Sequence, residues 1–97
     1  MLMPKVFLFV AIDVKPGKFD GFVDALSKHI AVIRGEQGCE FIEIYRDTQK
    51  SDVVNVWEIW STRADWDAHM VNDNSQAWRP IASELVLGET ITVMDAL

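Results

Sequence analysis

The N-terminal part of the chain carries large apolar residues at both alternating positions of a strand. Residues 3–14 read MPKVFLFVAIDV, and the run 6–12 is entirely apolar. Successive side chains of a strand point to opposite faces, so a strand with this pattern needs cover on both faces. The run is too short to span a bilayer, and it lacks the small-residue cleavage site of a signal peptide. We therefore predict a buried strand over 3–14.

The spacing of apolar residues predicts the other elements. Leu26, Ile30 and Ile33 recur at three- and four-residue intervals, the pattern of one helix face. Two later apolar segments are separated by a short polar turn and indicate a hairpin. Thr62, with Asp65 three residues later, begins a helix in the manner of a capping box. The predicted elements are helix 18–35, strands 39–47 and 52–60, a helix from 62 to about 71, a break over 72–75, a third helix with Pro80 in its first turn, and strand 89–94 after a break at Gly88.

The order of these elements is β-α-β-β-α-β, with the second helix split in two. It indicates a ferredoxin-like α+β fold, with a single domain over residues 1–97. The helices of this fold cover one face of a four-stranded antiparallel sheet. Strand 3–14 is apolar on both faces, and strand 52–60 has Trp57 on one face and Val56 on the other. The apolar face that no helix covers must pack against another surface, and a second copy of the same sheet is the simplest such surface. We therefore expect a homodimer.

The charge balance restricts the partners of the protein. The chain has 15 Asp and Glu residues against 9 Lys and Arg residues, a formal net charge of −6. An acidic surface repels nucleic acid and anionic membranes, so neither is an expected partner. The single cysteine, Cys39, excludes an internal disulfide and fits a reducing compartment. The expected location is the cytoplasm.

Glu58 is a carboxylate placed among apolar residues. It shares a strand face with Val56 and Trp60. Burying a carboxylate among apolar side chains is costly unless the group is paired or protonated, so Glu58 should have a partner. Two interpretations stay open. Glu58 either forms a structural pair with an arginine or the backbone, or it is a pocket acid that orients a histidine.

Both histidines of the chain are on helix faces that are predicted to point inward. His69 is three residues after Trp66, and His29 is three residues after Leu26. Because both helices of a ferredoxin-like fold pack on the same sheet face, the two histidines and Glu58 could meet in one space. Each histidine could equally be a satisfied core residue. Two histidines and a carboxylate can also bind a metal ion, but no HxH or HExxH spacing supports a metal site, and no nucleotide-binding motif is present.

Four short segments carry a resemblance to a known family. They are VKPG at 14–17, IRGEQGC at 33–39, the ExW of Glu58 to Trp60, and a helix entered by Ser61 and Thr62 with His69 near its end. In this order and spacing they resemble the antibiotic biosynthesis monooxygenase domain of the dimeric α+β barrel superfamily, over nearly the whole chain. The resemblance implies a homodimer whose two sheets pack face to face, and a pocket between helices and sheet in each subunit.

The resemblance also implies a reaction. Some members of that family oxygenate polycyclic phenols, anthrones or quinols with molecular oxygen and without metal or flavin. We therefore expect an oxidoreductase, a monooxygenase without a cofactor, that acts on a small aromatic phenol, quinol or anthrone. His69 would be the base or the donor to the substrate anion, with His29 second and Glu58 as the orienting partner. The expected walls of the substrate pocket are Phe41, Trp57, Trp60, Trp66 and Met70.

Two other functions stay open. One branch of the family isomerises a phosphorylated autoinducer sugar, and His29 and His69 fall where that branch also has histidines. That branch has a further histidine after the second of these, whereas residues 72–78 here read NDNSQAW, and the arginines are not visibly clustered. The other possibility is a stress protein that binds small molecules and catalyses nothing. Relatives that degrade haem use an Asn on the first strand and a Trp and a His on the later helices. The resemblance therefore disfavours haem degradation, because the first strand here has no Asn and no His follows His69.

Overall fold

The computed structural model describes residues 4–97, which form one four-stranded antiparallel sheet and three helices. The strands lie across the sheet in the order Cys39–Arg46, Val53–Trp60, Val6–Val14, Val86–Met94, so the first strand lies inside the sheet. The predicted ferredoxin-like fold is confirmed, and the predicted start of the first strand, residue 3, lies outside the described residues. The elements are β1 (Val6–Val14), α1 (Phe19–Ile33), β2 (Cys39–Arg46), β3 (Val53–Trp60), α2 (Arg63–Val71), α3 (Asp73–Leu85) and β4 (Val86–Met94).

One face of the sheet carries the core. The register pairs Leu8 with Glu58 and Val10 with Val56, so these four side chains share the face that the helices cover. The inward stripe of α1 packs on this face, and burial of each such apolar side chain contributes roughly 1.5–3 kcal/mol. The buried apolar residues of the core are Val6, Leu8, Val10, Ile12, Val14, Phe22, Leu26, Ile30, Ile33, Ile42, Val54, Val56, Trp60 and Trp66.

Asn72 alone separates the second helix from the third. Its backbone is extended (φ −72°, ψ 171°), and its side-chain oxygen accepts a hydrogen bond from the Ser75 amide, so Asn72 caps α3. The predicted break between the helices is present but is limited to Asn72, so its predicted extent over 72–75 is wrong. The prediction that Pro80 lies in the first turn is also wrong, since Pro80 lies inside the helix. The helix tolerates it because the backbone oxygen that loses its donor belongs to Gln76, which is exposed to solvent.

The last strand begins earlier than residue 89 and includes the predicted break. Gly88 pairs with Asp13, whereas Val86 pairs with Val14. The register shift between these pairs leaves Leu87 as the extra residue of a bulge. Gly88 therefore lies within β4, beside a bulge that bends the strand, and is not its boundary.

The other face of the sheet carries large apolar side chains that no helix of the described chain covers. Phe9 and Trp57 meet there edge to face, with ring centroids 6.4 Å apart. At the edge strand, Phe41 and Tyr45 are 38% and 49% exposed. We call this surface the open face. Its large apolar and aromatic residues on the first three strands are Phe7, Phe9, Phe41, Tyr45, Trp57 and Ile59. β1 therefore has apolar residues on both faces, as the sequence predicts.

The three helices are short. None of the helices among residues 4–97 is long and apolar enough to cross a membrane. The cytoplasmic location expected from the sequence stays a prediction.

Candidate functional site

A cavity of about 160 Å³ lies between the helices and the covered face of the sheet. Every helix and strand contributes to its lining, and most lining side chains are apolar, among them Val10, Leu26 and Ile42. The polar lining residues are His29, Glu58, His69, Ser75, Arg79 and Glu89. The structure therefore brings the three predicted catalytic residues, His29, Glu58 and His69, to one space. We call it the site cavity.

His69, on α2, is held by the carboxylate of Glu36. Nδ1 of His69 is 2.7 Å from Oε1 of Glu36, and each side chain is only 11% exposed. A carboxylate accepts hydrogen bonds, so Nδ1 is the ring nitrogen that carries the hydrogen. In the neutral ring, Nε2 then keeps its lone pair, which is what a general base requires. The pairing therefore fixes both the orientation and the tautomer of His69.

Glu36 lies in the loop between α1 and β2 and accepts hydrogen bonds from two further side chains. Nδ2 of Asn72 is 2.8 Å from Oε1, and Nδ2 of Asn74 is 3.3 Å from Oε2. Hydrogen bonds to a charged group contribute about 1.5–3 kcal/mol each. Three donors on one carboxylate therefore tie the loop to α2 and to the start of α3.

Glu36, Asn72 and Asn74 are not among the predicted site residues. The glycine at position 38 reflects the path of this loop. Gly38 has φ +83°, and a Cβ atom at this position would lie 2.3 Å from side-chain atoms of Asp65. Only glycine meets both conditions without strain. The close approach of this loop to α2 therefore depends on a glycine two residues after Glu36, and that spacing could have drawn attention to the acid.

Glu58, on β3, has a buried partner, which is the indole of Trp60. Nε1 of Trp60 donates to Oε1 of Glu58 over 3.0 Å, and the two residues are 0% and 8% exposed. Burial raises the pKa of Glu58, and the hydrogen bond from Trp60 offsets part of that rise. The prediction that Glu58 orients His69 is corrected, because Glu36 occupies Nδ1 of His69 and Glu58 is engaged by Trp60.

His29, on α1, lies flat against Trp78 of α3. The ring centroids are 4.5 Å apart and the planes differ by 9°. Burial lowers the pKa of His29, the nearby His69 lowers it further, and Glu36 opposes both effects. Because a lowered pKa keeps the ring neutral at neutral pH, His29 can accept or donate a hydrogen bond in the site cavity.

Three of the five predicted wall residues lie on the side of the sheet that the helices cover. Trp66 and Met70 line the site cavity. Trp60 is completely buried and lies behind His69, with the two ring centroids 4.7 Å apart. It therefore supports the histidine from the core, and the cavity lining does not include it.

Trp57 and Phe41 lie on the open face, so the prediction that they are walls of this pocket is wrong. Trp57 pairs with Phe9, and Phe41 pairs with Ile59. Because side chains alternate along a strand, Trp57 points away from the face that its neighbour Glu58 occupies. The two aromatic rings belong to the surface opposite the site cavity.

The ionisable groups of the site do not form a metal cluster. No group of three or more His, Cys, Asp or Glu side chains among residues 4–97 is arranged to hold a metal ion. The expectation that the protein uses neither a metal nor another cofactor stays a prediction.

The sequence matches one protein family. The family model described as antibiotic biosynthesis monooxygenase matches residues 6–80. That match spans most of the chain, so the chain belongs to the antibiotic biosynthesis monooxygenase family. No curated protein matches the chain.

Solved structures share the fold at low sequence identity. PA3566 from Pseudomonas aeruginosa is 20% identical, with a TM-score of 0.91 over 100% of this chain and 98% of that chain. SO0527 from Shewanella oneidensis is 22% identical, with a TM-score of 0.89 over 97% of this chain and 92% of that chain. A candidate antibiotic biosynthesis monooxygenase from Nitrosomonas europaea is 18% identical, with a TM-score of 0.90 over 100% and 94%. At these identities the likeness shows the fold alone.

Glu58→Gln should reveal the burial of the carboxyl group through the pH dependence of stability. Because the pKa of Glu58 is raised, the folded state binds this proton more strongly than the unfolded state does. That stabilisation is fully present below the ordinary glutamate pKa and is lost as the pH rises through the raised pKa. Glutamine can still accept from Trp60 but cannot ionise. In urea titrations, the free energy of unfolding of the variant should therefore rise relative to that of the wild type as the pH rises above the ordinary glutamate pKa.

Glu40→Gln is the matched control, because hydrogen bonds from Lys5 and Ser61 lower the pKa of Glu40. The stabilisation from Glu40 is present above the ordinary glutamate pKa and is lost as the pH falls. This variant should therefore lose stability relative to the wild type at neutral pH, and the loss should vanish in acid. A difference between Glu58→Gln and the wild type that does not change with pH would contradict the burial effect.

Proposed function

We propose that the protein is a monooxygenase that needs no cofactor and oxidises a small aromatic phenol, quinol or anthrone with molecular oxygen. The observation that carries the proposal is the pairing of His69 with Glu36, 2.7 Å apart, at the wall of a mostly apolar cavity. Membership of the antibiotic biosynthesis monooxygenase family supports this class of reaction. Because a fold hosts many functions, the site geometry has to carry the argument.

Each residue at the cavity has a chemical role in this proposal. His69 takes the proton of the substrate hydroxyl at Nε2, and the Glu36 carboxylate stabilises the imidazolium that results. His29, neutral at neutral pH, hydrogen-bonds the substrate anion. Trp66 and Met70 provide apolar walls for the ring.

The oxidation needs no external reductant. After deprotonation, the substrate anion passes electrons to dioxygen directly. The substrate supplies all of the electrons that reduce dioxygen: one oxygen atom forms a new bond to carbon, and the other leaves as water with two hydrogens from the substrate. The mostly apolar lining lowers the local dielectric constant, which strengthens each hydrogen bond to the anion.

The charges around the cavity favour a substrate without phosphate. Arg79 is the only lysine or arginine among the lining residues that the structure describes, and its guanidinium donates to the backbone oxygen of Met70. Two carboxyl groups, Glu58 and Glu89, line the same cavity. A phosphorylated sugar needs several cationic donors. These charges make the isomerase the weaker alternative.

Oxygen uptake by metal-stripped protein, supplied with hydroquinones, naphthols and anthrones, tests the proposal. We expect uptake with at least one compound, and we expect His69→Gln to lower turnover about 10²–10⁴-fold, the usual contribution of a general base. Glu36→Gln should have a smaller effect, because it keeps the ring and removes only the charge that orients it. Val71→Ala is the control, since Val71 is on the same helix and 66% exposed.

Equal turnover by the wild type and His69→Gln would refute the role of His69 as the base. Turnover that continues without oxygen would favour the isomerase. If no compound is consumed while aromatic ligands still raise the melting temperature, the protein is the non-catalytic small-molecule binder that the sequence left open.

We also propose a homodimer in which the open faces of two sheets pack together. The contact between Phe9 and Trp57 lies on the inner strands of that face, so a large aromatic surface is presented to a partner. Monomeric proteins rarely expose contiguous apolar patches larger than a few hundred Å². A two-fold axis lets the same patch cover itself, which makes a second copy the partner that fits.

Light scattering at micromolar concentration should give twice the mass of the chain. Trp57→Glu should give the monomer mass, because it places an unpaired charge in the proposed interface. Val71→Glu adds the same charge at an exposed position of α2 and should stay a dimer. A monomeric wild type would contradict the proposed assembly.

A further inference from the structure

The site cavity has room for one aromatic ring. Its volume is about 160 Å³, and an enclosed apolar cavity of about 150 Å³ holds a single benzene ring. Pockets for larger organic ligands have volumes of about 300–1,000 Å³. Met70 and Ile91 line the cavity and are each 39% exposed, so the cavity reaches solvent beside them. A bound ring can therefore carry a substituent that points outward there.

A second cavity, of about 270 Å³ and more open to solvent, adjoins the first. Trp78 lines both cavities and is the largest of the shared residues, which are Ile12, Trp78, Arg79 and Glu89. Its ring is stacked on His29 at 4.5 Å, and it is 6.0 Å from the ring of Phe22. Contacts with two aromatic neighbours hold the indole in place, so Trp78 is a fixed partition between the cavities.

We infer that Trp78 limits the site to substrates with a single aromatic ring, and that a smaller residue at this position joins the two cavities into a site for two or three fused rings. The inference rests on the proposed function for the reaction, and it narrows the proposed substrates to phenols and quinols with a single ring, which excludes anthrone. Trp78 is therefore a residue that determines specificity. Tighter binding of a single ring than of a fused ring system would identify this size limit. Without the limit, the larger ring system would bind more tightly, because it buries more apolar area.

The experiment measures binding separately from turnover. Hydroquinone, 1,4-dihydroxynaphthalene and anthrone are titrated under nitrogen into the wild type, Trp78→Ala and Trp78→Phe, with Glu84→Ala on the exposed side of the same helix as the control. The wild type and the control should bind hydroquinone at least about tenfold more tightly than anthrone. Trp78→Ala should bind anthrone at least about tenfold more tightly than the wild type does, without a gain for hydroquinone.

A wild type that binds anthrone as tightly as hydroquinone overturns the inference, and so does a folded Trp78→Ala variant without a gain for anthrone. Circular dichroism shows whether that variant folds. If Trp78→Ala does not fold, the Trp78→Phe variant tests the inference instead, because phenylalanine keeps an aromatic ring against His29 and Phe22. It should then gain affinity for the two-ring compound, and no gain overturns the inference.

Oxygen uptake in air with the same compounds separates this inference from the proposed function. Size selection in binding without any uptake refutes the monooxygenase and supports the partition by Trp78. Uptake by the wild type with anthrone as fast as with hydroquinone overturns the size limit and supports the reaction.

Discussion

The carboxylate of Glu36 is the acceptor on which the arrangement of the site depends. His69, Asn72 and Asn74 donate to it over 2.7, 2.8 and 3.3 Å. These donors come from α2, from the residue between the helices and from the start of α3, so one loop side chain positions both helices at the cavity. Without this acceptor, each donor left unpaired would cost about 1–3 kcal/mol. Since Asn72 also caps α3, the same contacts help to place Trp78 beside the cavity.

Burial shifts the pKa values of two ionisable groups at the cavity in opposite directions. It raises the pKa of Glu58, which favours the uncharged acid against the apolar core, and it lowers the pKa of His29, which favours the uncharged ring. Of the two histidines, only His69 has a carboxylate at hydrogen-bond distance in the part of the chain that the structure describes. Groups of the same chemical type therefore differ by environment, which is how proteins separate acid and base roles. That difference favours His69 over His29 as the base.

The sequence predicts those parts of the fold that depend on the period of the apolar residues. Helical spacing and strand alternation place His29, Glu58 and His69 on the faces that meet at the cavity. The same alternation, applied to Trp57, would have put it on the open face. Glu36 is different, because its position depends on how a loop folds back on α2 through the positive φ of Gly38. That approach is a tertiary contact, and no local period in the sequence encodes it.

The position of the hydrogen on the His69 ring tests the role of Glu36 most directly. The chain has two histidines, so in a ¹H–¹⁵N NMR correlation of the imidazole rings the His69 signals are those that disappear in His69→Gln. We expect the neutral ring to carry its hydrogen on Nδ1, with Nε2 unprotonated, and we expect Glu36→Gln to weaken that preference. A neutral wild-type ring with its hydrogen on Nε2 would contradict the assignment of His69 as a base held by Glu36.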